Sequence, residues 1–186
     1  MKHITIAAIS VLFFLQASCV QSLNPLYTEQ DLTFDDKLIG VWGETDTLET
    51  WDFSKSSKLE YKLVQTDENG RKGEFSARLV NVKGEMFLDI VPIKTGFIQS
   101  DFYKDNLVAT HTFAHIKVMG PTVYVSLIES GWLNKTVASD SGAIRHVKIA
   151  DETLITSGPK EIQNFLVENL KTKGAFSKPL ELTRKR

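Results

Sequence analysis

Cysteine is almost missing from this chain: Cys19 stands alone in 186 residues. No intramolecular disulfide is possible, so the fold must rest on packing. An excess of charge of either sign is missing as well, since 22 Lys and Arg face 23 Asp and Glu for a formal net charge of −1. That balance lacks the basic face by which nucleic-acid binders hold phosphates, so no nucleic-acid partner is expected. After Leu15 no apolar run is long enough to cross a bilayer as a helix. Internal repeats and low-complexity segments are absent. So are the Gly-x-Ser-x-Gly elbow of serine hydrolases and the His-Glu-x-x-His pair of zinc proteases. No recognisable catalytic motif remains, and the expectation is a protein that is not an enzyme and holds no cofactor. The composition is that of an ordinary globular domain, with 42% hydrophobic and 24% charged residues, long enough to bury one core.

What is present begins at the amino end. Met1-Lys2-His3 is short and positively charged, and Ile4 to Leu15 is a nearly unbroken apolar run of twelve residues. At 1.5 Å per helical residue such a run falls short of the ~30 Å hydrocarbon core. Small Ala17 and Ser18 follow, then Cys19. This is the layout of a secretory signal peptide over residues 1–18. Ala17-Ser18-Cys19 resembles a bacterial lipobox, with Gln16 where that pattern favours Leu and Leu15 one place further out. The resemblance implies diacylation of the Cys19 thiol and acylation of the new amino terminus, which gives stable membrane anchoring. Ordinary cleavage nearby, leaving Cys19 removed or unmodified, is the competing reading. Val20 stands where, in enteric bacteria, an Asp favours the inner membrane. The expected address is therefore the cell envelope, at the outer membrane facing the periplasm.

Residues 19–36 read as the lipidated cysteine and a tether. Asn24-Pro25 disfavours helix there, and Leu23, Leu26, Tyr27, Leu32 and Phe34 make the segment greasy enough to pack partly on the domain. Residues 37–186 read as a single β-rich domain. In 58–66, "KLEYKLVQT", Leu59, Tyr61 and Leu63 alternate with Lys58, Glu60 and Lys62, the mark of a half-buried strand. Asp67-Glu68-Asn69-Gly70 turns the chain into a second strand over 74–83. Further runs over 38–43, 49–53, 86–91, 107–119, 122–128, 143–150 and 153–157 complete about nine strands, and 92–103 reads as irregular. A short helix is expected near 130–139. A stronger one is expected near 159–171, with Pro159 at its first position, Glu161 in its first turn and Gly174 beyond its end. Its stripe of Ile162, Phe165, Leu166 and Leu170 needs a sheet face or barrel mouth to cover it. The fold expected is mainly β: an antiparallel, strongly curved sheet or a small barrel of about 8–9 strands.

Gly40-Val41-Trp42 opens the first of these strands. It resembles the Gly-x-Trp signature of lipocalins, which implies Gly40 and Trp42 as barrel-closing residues and a lipocalin-like barrel. The arginine that packs on that tryptophan in lipocalins has Arg78 and Arg145 as candidates. Cys19, Asn24 to Thr28, Phe34 and Gly40 to Trp42 together resemble a group of bacterial lipoproteins, with "ETW", "DFY" and "HTF" later in the chain also similar. That resemblance implies a shared fold and lipidation and carries no activity. Three kinds of role follow: a non-enzymatic interaction or structural protein of the envelope, a lipocalin-like carrier of an apolar small molecule, or, least favoured, an envelope hydrolase. The partners expected are the membrane, through the lipid anchor, and an apolar small molecule or an envelope protein.

Four further features bear on chemistry. His111 and His115 have chelating spacing on a helix, but their surroundings are rich in β-branched and aromatic residues. On a strand four residues span roughly 13 Å. A metal ~2.0–2.1 Å from each nitrogen cannot bridge that, so no metal is expected. Asp89, Asp101, Tyr103, His111 and Glu129 are the acid and base residues available for pairing. "TDENGRKGE", residues 66–74, lacks the ligand order of a calcium loop and reads as a hairpin turn. The closing "TRKR" reads as a frayed basic terminus or a weak attraction to anionic lipid.

Overall fold

Alternation along the strands decides the architecture. The computed structural model describes residues 20–93 and 107–185. Its strands, in chain order, are β1 (Gln21–Ser22), β2 (Leu32–Thr33), β3 (Gly40–Gly43), β4 (Thr50–Ser57), β5 (Glu60–Thr66), β6 (Lys72–Val82), β7 (Glu85–Pro92), β8 (His111–Met119), β9 (Thr122–Leu127), β10 (His146–Ile149), β11 (Glu152–Ile155) and β12 (Leu180–Arg184). Among the described residues two helices, α1 (Ser130–Ser139) and α2 (Pro159–Asn169), interrupt them. Strands β3 to β9 form a meander, and β12 inserts antiparallel between β9 and β3. Since β8 also pairs with β9, eight antiparallel strands close into a lipocalin-like barrel.

One face of each strand fills the barrel. Trp42, Phe53, Tyr61, Leu63, Leu88 and Ile116 are essentially without exposure and belong to one interior cluster. The turn chemistry is local. Asp67 Oδ1 accepts from the backbone N–H groups of Asn69 and Arg71, each at 2.9 Å. Lys83 and Gly84 both take positive φ, 53° and 89°, in the two-residue turn between β6 and β7. Positive φ at both positions defines the turn whose twist matches a hairpin.

The outer face of β6, β7 and β8 carries the second cluster, where Val80, Val82, Phe87 and Phe113 meet Leu133 and Val137 of α1 and Ile162, Phe165 and Leu166 of α2. The amphipathic stripe expected near 159–171 is thus covered by the outside of the barrel, and Leu170 packs at its edge. Glycine has no Cβ to hinder the chain at Gly174 (φ 82°), just past the helix.

One expectation is corrected. The carboxyl terminus is not frayed at Thr183 and Arg184: these residues pair with Gly43 and Trp42, and Lys185 N–H donates to the Val41 carbonyl at 2.7 Å. Residues 20–36 lie along the domain as a strap. Within the strap, β1 is hydrogen-bonded between β8 and β11, Leu26 is wholly buried, and β2 pairs with β6. The irregular stretch expected over 92–103 lies almost wholly outside the described residues, as do Cys19, Asp101 and Tyr103.

Candidate functional site

The strap is fixed by side chains at both backbone groups of one residue. Leu26 N–H donates to Asp89 Oδ2 at 2.7 Å, and the Leu26 carbonyl accepts from Gln163 Nε2 at 2.8 Å. Upstream, Asn24 Nδ2 donates to the carbonyls of Thr156 and Ser157 at 3.1 and 3.0 Å. Downstream, Asp31 takes hydrogen bonds from Lys160, Gln163 and Thr28. Partial burial by itself would push the Asp31 carboxyl up. The donors from Lys160, Thr28 and Gln163 outweigh it and hold the group well below the usual carboxylate range.

Two of the acid and base residues singled out in the sequence do meet. His111 Nδ1 donates to Asp89 Oδ1 at 2.6 Å, on the outer face of the barrel beneath the strap. Ser22 lies across from His111 in the β1–β8 register and is fully buried, but its hydroxyl donates to the Asn24 carbonyl at 2.8 Å. With its proton engaged there and no opening over it, Ser22 is not poised as a nucleophile. Asp89 and His111 act as a clamp on the strap. Glu129 stands apart, as the residue that precedes α1. His115 has its own carboxylate, Glu85 Oε2, at 2.9 Å from Nε2. That hydrogen bond lowers the Glu85 pKa. Each histidine is therefore engaged separately, and among the described residues no three metal-ligating side chains gather.

At the closed end, Asp36–Leu38 form a 3-10 turn whose Leu38 carbonyl accepts from the Trp42 indole N–H at 2.7 Å. The arginine on Trp42 is Arg184, not Arg78 or Arg145. Its guanidinium lies 4.2 Å above the indole and donates to the carbonyls of Ile39 and Lys37 at 2.8 and 2.6 Å. Arg78 is held by Tyr27 and Glu60, and Arg145 by Glu161. Beside the turn, Phe34 stacks on Tyr61 at 4.3 Å, and burial pushes the Tyr61 phenol up to about 12. Gly40, with φ 130°, starts β3 just after the turn.

A recess of about 350 Å³ beside Asp35, Leu38, Leu79 and Met86 lies at this end, and another lies at the opposite end. A recess of about 270 Å³ at the barrel mouth is lined by Trp51, Leu63, Phe75, Ile90 and Leu127, with Gln65 and Thr112 as its polar groups. A larger groove, of about 540 Å³, lies outside the barrel on the extension formed by β1, β11 and β10. The register connects the two. Val147, Leu154, Gln21, Thr112 and Ile90 form one cross-strand row, so the groove face of the extension is continuous with the barrel interior. The next row, His146, Ile155, Ser22 and His111, points to the other face. There Val20, Ile155 and Ile144 are covered by the helices. Nothing among the described residues covers the groove face. Val108 is 74% exposed, Ile149 58%, Val147 44% and Leu23 42%. In the sequence Val108, Val147 and Ile149 read as strand residues and Leu23 as part of the tether, and no local period joins them into one surface.

No family model, no curated protein and no solved structure matches this chain. Among the described residues no helix is long and apolar enough to cross a membrane.

Proposed function

We propose that this protein is a lipid-anchored lipoprotein of the bacterial cell envelope, held by acyl chains on Cys19, with a non-enzymatic interaction or structural role. The observation that carries the reading is a filled barrel beside an open apolar face at the end of the chain where Cys19 stands. Interior side chains such as Trp42, Phe53, Tyr61, Leu88 and Ile116 are packed without exposure, while Leu23, Val108, Val147 and Ile149 expose contiguous apolar surface. Exposed apolar patches of this kind mark interaction sites. The outer membrane, facing the periplasm, is the proposed location, from Val20 after the acyl-bearing cysteine. The resemblance to bacterial lipoproteins, from Cys19 through Gly40-Val41-Trp42, supports the same assignment.

Fractionation and intact-mass measurement test it. The wild-type protein should carry acyl mass on Cys19 and sediment with membranes. Cys19→Ala should carry none, and should remain unprocessed or be released as soluble material. A wild-type protein without acyl mass overturns the assignment.

The mouth recess favours a second reading, a carrier of an apolar small molecule. Trp51 and Phe75 line it, and the polar atoms of Gln65 and Thr112 would orient a ligand. Native mass spectrometry of protein extracted from its own membrane separates the two, since a carrier retains a ligand of defined mass.

A further inference from the structure

Building on the anchored reading above, we propose that the groove face of β1, β11 and β10 is the surface by which the domain lies against the lipid bilayer. The apolar side chains of Leu23, Val108, Val147 and Ile149 thereby extend the attachment made at Cys19.

The occupant follows from where the chain enters the fold. Cys19 stands two residues before Gln21, so at most ~7 Å of extended backbone separates their Cα atoms. Gln21 itself lines the groove. No slack lies in between: Val20 is buried, Gln21 pairs with both Thr112 and Leu154, and Leu23 N–H donates to the Ile155 carbonyl at 2.9 Å. Acyl chains on Cys19 enter the bilayer, so the surface around Gln21 is held at the lipid–water interface. A protein partner or a second copy would have to displace lipid already present there at high effective concentration. The other face of the same strands is closed by α1 and α2, so among the described residues the groove face is the one open to contact. Its chemistry fits the interface. Apolar side chains are flanked by Gln21 and Thr110, with Glu152 as the acidic residue at the rim.

The test uses the full-length acylated protein on vesicles of phosphatidylethanolamine and phosphatidylglycerol. With Cys19 blocked by its acyl group, Val147→Cys or Ile149→Cys introduces a single free thiol for an environment-sensitive fluorophore. Both positions are exposed, so neither change disturbs packing, and a circular dichroism spectrum like wild type confirms the fold. Lys58→Cys, in the turn between β4 and β5, is the control. Probes at 147 and 149 should shift to the blue on vesicles and be quenched several-fold by brominated acyl chains, while the probe at 58 should do neither. Probes at 147 and 149 that still report water on fully bound protein overturn the proposal and leave the anchor standing. A blue shift that appears without vesicles assigns the face to a second copy and overturns it as well. Absence of acyl mass on wild-type Cys19 removes the anchor, and the proposal with it.

Discussion

Phe165→Ala tests whether α2 is part of the barrel's core or an ornament on its surface. Phe165 is 6% exposed and lies among Ile162, Leu166, Phe87 and Phe113 in the outer cluster. Its ring meets Trp132 of α1 with centroids 5.7 Å apart and planes tilted by 40°. Removing a buried phenyl ring forfeits its transfer free energy and leaves a cavity, together about 3–5 kcal/mol. The Trp132 contact contributes roughly 0.5–1.5 kcal/mol of it beyond area alone. Trp132 is itself only partly buried, so partial collapse into the gap places the expected loss near the lower bound, about 3 kcal/mol. For a chain of this size, that lowers the melting midpoint by roughly 6–12 °C. Urea unfolding of the unlipidated full chain reads the same loss as a lower midpoint at unchanged slope. A midpoint that moves by less than about 2 °C refutes the packing argument, and it would identify the stripe as a docking face whose loss only a binding assay detects.

Two other perturbations read the strap and the closed end. Asp31 is held below the usual carboxylate range in the fold, so its contribution is complete above the unfolded value of about 3.9 and is lost as pH falls below it. The stability difference between wild type and Asp31→Asn should therefore shrink below pH 4, by up to about 1.4 kcal/mol per pH unit. Equal differences at pH 7 and pH 3 in urea melts contradict this. Arg184→Ala removes two charge-assisted hydrogen bonds and the contact with the Trp42 ring, at a partly wet site, and should cost about 1–3 kcal/mol. Arg184→Lys should recover less than half of it, because an ammonium cannot reach both carbonyls while stacking on the indole. Full rescue by lysine in thermal melts would count against the bidentate geometry.

The parts of the fold legible in the sequence were those set by local period. Alternation of Tyr61 and Leu63 with Lys62, the turn at Asn69-Gly70, and Pro159 ahead of an apolar stripe each signal their element within a dozen residues. What escaped was set by distant partners. Leu180–Arg184 is only five residues long and runs into Lys185, so it reads as a basic tail until β3 and β9 supply its hydrogen bonds. The arginine on Trp42 escaped for the same reason, since Arg184 reaches the Ile39 carbonyl across 145 positions. Strands β1 and β2 are two residues each, too short for any period, and exist because β8, β11 and β6 offer free backbone groups. The acid–base pairing of Asp89 with His111 was open in the sequence. Register decides it, by placing Asp89 opposite Phe113 and one step from His111 on the same outer face.

The strap also bears on what the proposed anchor at Cys19 would do. Seventeen free residues, 20 through 36, would span up to roughly 55–60 Å and let an anchored domain turn any face to the membrane. Held at Asn24, Leu26 and Asp31, those residues have no such reach. On the proposed anchor, the short distance from Cys19 to Gln21 would then hold the groove face near the bilayer. The row from Val147 through Gln21 and Thr112 to Ile90 adds a consequence for the alternative reading. If the groove face meets lipid, the same row leads from the bilayer surface to the barrel mouth, where Trp51 and Phe75 line the recess. A carrier built this way would exchange an apolar ligand directly with the membrane. The interaction reading and the carrier reading therefore share one orientation on the bilayer, and they part only on whether the recess holds a ligand.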